Sequence, residues 1–343
     1  DVLVCRSEQP ISVEIKRKIA GFCNVDFECV IESPDVASIY EIPLRFREQG
    51  FDRVVCERLR LETPEPDLRP WKAMVERILH PHHKVRIAVV GKYTDLHDAY
   101  KSVQEALIHG GISSDAGVQI NWLSSDQFTS QEAAGRLLRD YDGLLVPGGF
   151  GIRGIEGMIE AIRWAREHQL PFLGICLGLQ VAVIEFARNV CGMSETTSTE
   201  FDPECETPVI ALMANQREIK DVGGTMRLGA YAARLRKDSK AAQAYGTLQI
   251  SERHRHRWEV NNAYRDLLAE HGLRLSGQSP DGGLVEIIEL PDHPWFLGCQ
   301  FHPELKSRPT RPHPLFAALI AAALKRRQAG PGTPTEVLAT TAS

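Results

Sequence analysis

The segment Gly174–Gln180 reads GICLGLQ and places Cys176 where an apolar, strand-like run stops and a helical pattern begins. A tight strand-to-helix turn of this kind pushes its central side chain out at the edge of a sheet, and small flanking residues tolerate the crowding. The helix start favours a thiolate at Cys176, and the N–H of Leu177 is placed to stabilise a developing oxyanion. The pattern predicts a cysteine nucleophile; the alternative is an unreactive thiol buried in the core.

A thiolate nucleophile needs a base, and His302 has the most informative setting among the twelve histidines. It follows the apolar run Trp295–Phe301 in the sequence QFHPE, with Glu304 two positions further on. In an extended segment, residues two apart project to the same side, so Glu304 can hold the ring nitrogen that faces away from Cys176. We predict a nucleophile–base–orienter triad that attacks an amide carbonyl. The alternative is a histidine that only caps the end of a strand.

The loop Pro147–Gly151 (PGGFG) is predicted to supply the second oxyanion donor, because its glycines can present bare N–H groups. The overlapping segment Gly149–Gly154 also matches G-x-G-x-x-G, a dinucleotide-binding pattern. A dinucleotide site normally uses the first strand of its unit and an acidic residue at the end of the next strand. Here the next strand ends at Cys176, so we favour an oxyanion loop.

Alternating strand and helix patterns surround these residues. Strands are predicted over 85–90, 118–123, 143–146 and 171–175, and helices over 98–108, 130–139, 155–168 and 177–190. The region beyond residue 207 is richer in strands (209–213, 284–290 and 296–301), with helices over 261–271 and 314–327. Near-continuous apolar strands that alternate with helices predict an α/β fold with a mostly parallel sheet flanked by helices.

Four parts are predicted along the chain. They are a short α/β piece over 1–58, a Pro-punctuated linker over 59–83 with a helix around 71–79, the main domain over 84–327 and a disordered tail over 328–343. The chain does not begin with Met, and its first residues have the pattern of a buried strand, so we expect a truncated N-terminus.

Composition narrows the functional classes. The 343 residues carry a formal net charge of -5, which argues against a nucleic-acid partner, and we interpret the local basic run Arg253–Arg257 as a small-anion site. No apolar run reaches the roughly 18 residues needed to cross a membrane. The eight cysteines form no C-x-x-C pair, which favours reduced thiols in the cytoplasm over disulfides, and we predict no metal site.

With these motifs in place, the sequence resembles the class I glutamine amidotransferases through 147–151, 174–180 and 301–304. Within that class it resembles the CTP synthase family, and the fold expected is the amidotransferase sheet preceded by the end of a synthetase domain. The residues that carry this second resemblance are 18–25, 35–40, 92–93, 98–102, 151–157, 198–201, 223–229 and 252–262.

The resemblance implies hydrolysis of L-glutamine, with the ammonia serving an ATP-dependent amination of UTP to CTP. It implies no cofactor for the glutaminase, ATP and Mg²⁺ for the full-length synthetase, GTP as an allosteric activator, and a homotetramer when full length. Neither a nucleic-acid nor a membrane partner is expected.

The resemblance also assigns site residues. Contacts to glutamine are implied at Gly149, Leu177, Gly178, Leu179, Gln180, Glu200 and Arg257. Two of these residues, Gly149 and Leu177, are also the expected oxyanion donors. Glu200 would suit the substrate's ammonium and Arg257 its α-carboxylate. Nucleotide contacts are implied at Lys18, Asp35 and Val36, and a lid linked to GTP activation at Gly224, Thr225, Arg227 and Gly229.

One departure from the family limits these expectations. No G-x-x-x-x-G-K-[ST] loop occurs among the 343 residues, nor do the acidic Mg²⁺ ligands of the synthetase, so we expect a fragment that holds mainly the glutaminase half. Two alternatives to the glutaminase remain. One is a thiol hydrolase of another γ-glutamyl amide, and the other is a non-catalytic module that binds glutamine or GTP.

Overall fold

The computed structural model describes residues 1–92, 97–212 and 226–330, and the chain divides into two compact units, Asp1–Pro81 and His82–Ser343. Within the described ranges, no helix is both long enough and apolar enough to cross a membrane.

The first unit is a small α/β body. Its elements are β1 (Leu3–Ser7), α1 (Val13–Cys23), β2 (Val30–Pro34), α2 (Ile42–Glu48), α3 (Phe51–Leu59) and α4 (Arg69–Leu79). The strands β1 and β2 pair in parallel. Helix α4 buries Met74 and Val75, and the indole N–H of Trp71 donates to the carbonyl of Tyr40 at 2.8 Å. These contacts make α4 part of this unit, although the sequence predicted it within a linker.

The second unit holds the predicted catalytic residues. Its elements are β3 (His83–Gly91), α5 (Lys101–Ser113), β4 (Ala116–Ser124), α6 (Gln131–Leu138), β5 (Gly143–Val146), α7 (Ile155–Glu167), β6 (Phe172–Ile175), α8 (Leu177–Asn189), β7 (Ile210–Leu212), β8 (Arg227–Leu235), α9 (Lys240–Tyr245), β9 (Gln249–His256), β10 (Trp258–Val260), α10 (Arg265–Glu270), β11 (Arg274–Gln278), β12 (Val285–Glu289), β13 (Phe296–Cys299) and α11 (Pro314–Ala329).

A nine-stranded sheet forms the centre of this unit in the described part of the chain, with the order β4-β3-β5-β6-β13-β12-β11-β8-β9. The first five strands in that order run parallel, and the remaining four pair antiparallel. Strands β7 and β10 form a separate antiparallel pair. Because β13 lies beside β6, the two chain segments that carry the predicted nucleophile and base leave the sheet at the same edge.

Both faces of the sheet are covered by helices, as the sequence predicted. Side chains of β3 alternate between the two cores: Val85, Ile87 and Val89 lie in one, and Ala88 and Val90 in the other. Helices α7 and α8 contribute to the second of these cores, and α5 and α11 to the first. Complete burial of aliphatic side chains on both faces contributes about 1.5–3 kcal/mol each and holds the site-bearing edge rigid.

The predicted strands over 85–90, 118–123, 143–146 and 171–175 are confirmed as β3, β4, β5 and β6, with ends that differ by at most two residues. The helix predicted from 98 begins at Lys101, because a short 3-10 turn over His97–Tyr100 precedes it. The last helix continues to Ala329, two residues past its predicted end, and the rest of the predicted tail, 331–343, lies outside the described residues. The strands β8, β9, β10 and β11 were not predicted.

Candidate active site

Cys176 occupies a strained turn between β6 and α8. Its backbone has φ 53° and ψ -101°, a left-handed conformation that costs a non-glycine residue about 1–3 kcal/mol. A Cβ on Gly178 would lie 2.1 Å from the carbonyl oxygen of Val146, and a Cβ on Gly174 would lie 2.6 Å from the Gly178 backbone. The Cys176 N–H donates to the carbonyl of Cys299 at 2.7 Å. The two glycines therefore permit a turn that the neighbouring strands hold in place.

His302 lies beside this turn because β13 is the neighbour of β6. Its backbone N–H donates to the carbonyl of Arg253 at 2.7 Å, and its Nδ1 lies 2.8 Å from Oε1 of Glu304. Burial lowers the pKa of His302, but the Cys176 and Glu304 side chains raise it by more, to about 10. The neighbouring Cys176 and Glu304 side chains therefore favour the protonated imidazole at neutral pH.

The second ring nitrogen of His302, Nε2, is buried and forms no hydrogen bond with any described residue. Cys176 is nevertheless close enough to be one of the groups that raise the pKa of His302. Tightening of such a contact when substrate binds is usual for catalytic pairs.

Glu304 reaches His302 by a different route from the one predicted. Strand β13 ends at Cys299, and Pro303–Leu305 forms a 3-10 turn rather than continuing the strand. The turn is closed by the Leu305 N–H, which donates to the carbonyl of His302 at 3.3 Å. The prediction that the two side chains pair is confirmed, whereas the extended geometry assumed for it is wrong, because proline at the first turn position favours helical backbone.

The predicted oxyanion loop runs alongside the nucleophile. A Cβ on Gly148 would lie 3.0 Å from Cε1 of His302 and 3.6 Å from Cβ of Cys176, so this position has little room for a side chain. A Cβ on Gly149 would lie 3.1 Å from the Leu177 side chain. The two predicted N–H donors, at Gly149 and Leu177, thus belong to adjacent segments beside Cys176.

Lys92 directly follows β3 and contacts the backbone of this loop. Its ammonium donates to the carbonyl of Phe150 at 3.1 Å and also to the carbonyl of Gly151, and Arg153 donates to the carbonyl of Lys92. Burial lowers the pKa of Lys92 to about 8; Arg153 adds to this effect, and Glu200 opposes it. Lys92 was named in the sequence analysis only as part of a family resemblance. No local pattern predicted that it would donate to the carbonyls of this loop.

Glu200 and Arg257, predicted to bind the two ends of glutamine, are close enough to affect each other. Burial raises the pKa of the Glu200 carboxyl, and the Gly151 N–H, Lys92 and Arg257 oppose that rise. Oε1 of Glu200 accepts the Gly151 N–H at 2.8 Å. The Glu200 carboxylate therefore already accepts the N–H that a dinucleotide phosphate would need. This contact disfavours the interpretation of the glycine pattern as a dinucleotide site.

The other predicted glutamine contacts lie in the first turn of α8. Leu177, Gly178 and Leu179 are buried there, and so is Gln180, whose side-chain nitrogen donates to the carbonyl of Trp258 at 3.0 Å. That interaction joins α8 to β10.

The predicted lid is described only in part. Arg227 and Gly229 lie in β8, and the Arg227 guanidinium contacts Glu259 at 3.2 Å and Glu286 at 2.8 Å. The remaining lid residues, Gly224 and Thr225, lie outside the described residues.

The basic run on β9 has two distinct faces. Arg253 and Arg255 are exposed, whereas His254 and His256 are buried. Nε2 of His254 lies 3.7 Å from a carboxylate oxygen of Glu286. Because strand alternation turns the histidines inward toward acidic groups, only the arginines of the run remain available to an anion, and the small-anion site stays a prediction.

The predicted nucleotide contacts belong to the first unit. Lys18 is exposed on α1, and Asp35 and Val36 directly follow β2. The carboxylate of Asp35 pairs with Arg6 at 3.3 Å. Since this pair is largely solvent-exposed, it contributes at most about 1 kcal/mol to stability.

Comparisons with known proteins agree with this geometry. Residues 95–322 match the family of class I glutamine amidotransferases, and residues 1–61 match the CTP synthase N-terminus. The chain therefore belongs to the class I glutamine amidotransferases.

Its relatives narrow the family. CTP synthase from Geotalea uraniireducens is 55% identical over 325 residues, and that from Geobacter sulfurreducens is 54% identical over 328 residues. These alignments include 94% and 95% of this chain. The glutaminase domain of Trypanosoma brucei CTPS, solved with bound acivicin, is 39% identical with a TM-score of 0.66 and covers 70% of this chain and 93% of that domain. Within the amidotransferases, the chain belongs to the CTP synthase family, and it spans 61% of the length of the two bacterial relatives.

Proposed function

We propose that the second unit hydrolyses L-glutamine to glutamate and ammonia with Cys176 as nucleophile, His302 as base and Glu304 as orienter. The observation that carries this proposal is the convergence of the Cys176 turn with the Nδ1–Oε1 contact of 2.8 Å between His302 and Glu304. A buried thiol held at a strained elbow beside a protonated imidazole is suited to nucleophilic attack on an amide.

The proposed chemistry proceeds in two halves. The Cys176 sulfur forms a bond to the γ-carbonyl carbon, and the carbonyl electron pair moves to oxygen, where the N–H groups of Leu177 and Gly149 stabilise it. His302 then gives its proton to the amide nitrogen, the C–N bond breaks and ammonia leaves a glutamyl thioester. Water, deprotonated by His302, attacks the thioester and releases glutamate.

Substrate orientation is proposed to come from opposite charges at the two ends of glutamine. Glu200 would hold the ammonium and Arg257 the α-carboxylate, as the family resemblance implies. The electrostatic effect of Arg257 on Glu200 and the partial burial of Glu200 support the proposal, because they place opposite charges near each other.

The test replaces Cys176 with Ala and measures ammonia release and glutamine binding separately. We expect turnover to fall by at least about 10³-fold, with the dissociation constant for glutamine changed by less than about three-fold. Cys191→Ala, which removes a thiol just beyond the far end of α8, is the matched control and should keep full activity. Undiminished ammonia release by Cys176→Ala would refute the proposal.

For the complete enzyme, we propose that the ammonia is used for ATP-dependent amination of UTP to CTP, with Mg²⁺ as the nucleotide's metal and GTP as activator. The match of residues 1–61 to the CTP synthase N-terminus and the identity to bacterial CTP synthases support this. Homotetrameric assembly is part of the same proposal. A cytoplasmic location is also part of this proposal, and the eight free thiols support it.

A fusion to the synthetase region of the Geotalea uraniireducens relative tests the coupling. The fusion should make CTP with either glutamine or ammonium chloride, and the same fusion with Cys176→Ala should respond to ammonium only. If the fusion uses ammonium but never glutamine, the proposed transfer of ammonia is wrong.

A further inference from the structure

The Cys176 sulfur has a second polar neighbour besides His302. The side-chain nitrogen of Gln300 lies 3.8 Å from Sγ, within reach of a hydrogen bond to sulfur. Gln300 directly follows β13 and is completely buried, and its backbone N–H donates to the carbonyl of Glu286 at 2.9 Å. A buried amide tethered in this way has few other orientations available.

The direction of the Gln300 amide follows from its neighbours. The carbonyl of Trp258 can only accept, so the side-chain group of Gln180 that lies 3.0 Å from it must be the NH₂. The same NH₂ lies 3.4 Å from the Gln300 side chain, which must therefore present its oxygen. The remaining Gln300 group, directed at sulfur, is then the NH₂. A flipped Gln300 would oppose two NH₂ groups and place its oxygen against the nucleophile.

We infer that Gln300 stabilises the Cys176 thiolate by donating an N–H···S hydrogen bond, and that Gln180 is the positioning residue that fixes the Gln300 amide. The assignment rests on the proposed role of Cys176 as nucleophile. A donor to sulfur favours the charged form because a thiolate accepts far more strongly than a thiol. Since the amide is buried and already oriented, no reorganisation accompanies ionisation.

The decisive measurement is the pH profile of Cys176 alkylation by iodoacetamide, followed by mass spectrometry of the peptide that contains it. This reaction needs neither glutamine nor turnover, so it separates the present inference from the proposed function. Gln300→Met replaces the amide with an apolar side chain of similar volume and removes the donor. Loss of a hydrogen bond to a charged group should move the midpoint of the profile upward by about one pH unit, a roughly ten-fold slower reaction below both midpoints.

Two further variants sharpen the result. Gln180→Met keeps the Gln300 amide but removes the group that fixes its orientation. The midpoint of the alkylation profile should therefore also move upward, by a smaller amount. Gln243→Met, at an exposed position on α9, is the matched control and should leave the profile unchanged. A merely structural role for Gln300 would lower the rate at every pH without moving the midpoint, and that result would overturn the inference.

A second measurement on the unaltered protein covers the case in which Gln300→Met does not fold. The side-chain amide of Gln300 is followed by nitrogen-edited NMR across the pH range in which alkylation of Cys176 rises. One of its two N–H signals should move downfield with the same midpoint. A signal that stays in place through that range would equally contradict the assignment, whether or not the chain hydrolyses glutamine.

Discussion

The buried ionic cluster at the start of β8 should make the stability of the second unit depend on pH. One guanidinium, Arg227, faces two buried carboxylates, Glu259 and Glu286. His256 lies 3.5 Å from Glu259, and burial, together with the nearby positive groups, holds the pKa values of His254 and His256 well below the usual range. The histidines are therefore neutral, and the cluster contains one more acidic group than it can balance.

Burial raises the pKa values of both carboxyls, and we expect Glu259 to be the one that holds the proton. Burial raises the pKa of Glu259 to about 8 and Glu286 adds to the rise, while Arg227 opposes it. The folded state therefore keeps this proton from pH 4.5, the ordinary value, up to about 8, whereas the unfolded chain releases it near 4.5. The contribution of Glu259 to stability is therefore greatest below that window and falls as pH rises through it, by about 1.4 kcal/mol per pH unit and on the order of 5 kcal/mol in all.

Replacement of Glu259 with Gln removes the titrating group and keeps the shape and the hydrogen-bonding oxygen. We expect the free energy of unfolding of Glu259→Gln to lie progressively above that of the wild type as pH rises from 5.5 to 8.5. Urea denaturation at four pH values in that range gives the comparison, and Glu270→Gln, exposed at the end of α10, is the matched control. Parallel pH profiles for wild type and Glu259→Gln would show that Glu259 is ionised in the folded state and would refute the reasoning.

Three further predictions concern the candidate site. Glu304→Gln should lower kcat by at least about 100-fold with little change in KM, because the His302 imidazolium loses its charge partner, and steady-state glutaminase kinetics measure this. Gly178→Ala should abolish activity and destabilise the fold by more than about 3 kcal/mol in thermal unfolding, since the added Cβ would lie 2.1 Å from the carbonyl oxygen of Val146. Lys92→Met should raise KM for glutamine by about ten-fold or more, because two loop carbonyls lose their donor beside the substrate site. A rise in KM at constant kcat for Glu304→Gln, or wild-type behaviour of either other variant, would contradict these assignments.

The parallel half of the unit could be read from sequence because its signal is local. The strands β3, β5 and β6 consist largely of apolar residues in an unbroken run, which is what burial on both faces requires. The turn at Cys176 could also be predicted from the sequence, because Gly174 and Gly178 lie where a Cβ would collide with the backbone. In both cases one short segment contains all the information.

In the antiparallel part, β12 was predicted, but β8 and β9 were not, for the opposite reason. Inward positions of β9 include Glu252, His254 and His256, so the strand has no apolar alternation even though its burial alternates strictly. Those polar side chains are accommodated by partners far along the chain, such as Glu286. The contacts of Lys92 and Gln300 were not predicted for the same reason. Their partners lie far along the chain, and a local sequence pattern does not include them.

The insertion of β13 between β6 and β12 has a consequence for the order of events during synthesis. Cys176 and Gln300 are 124 positions apart, and β13 fills a central position of the sheet rather than its edge. Until β13 leaves the ribosome, the nascent chain has an open gap beside β6, and closing so long a loop is a slow step. The thiol therefore meets its histidine only after the residues through His302 have been synthesised, and until then the facing edges of β6 and β12 are unpaired and open to association.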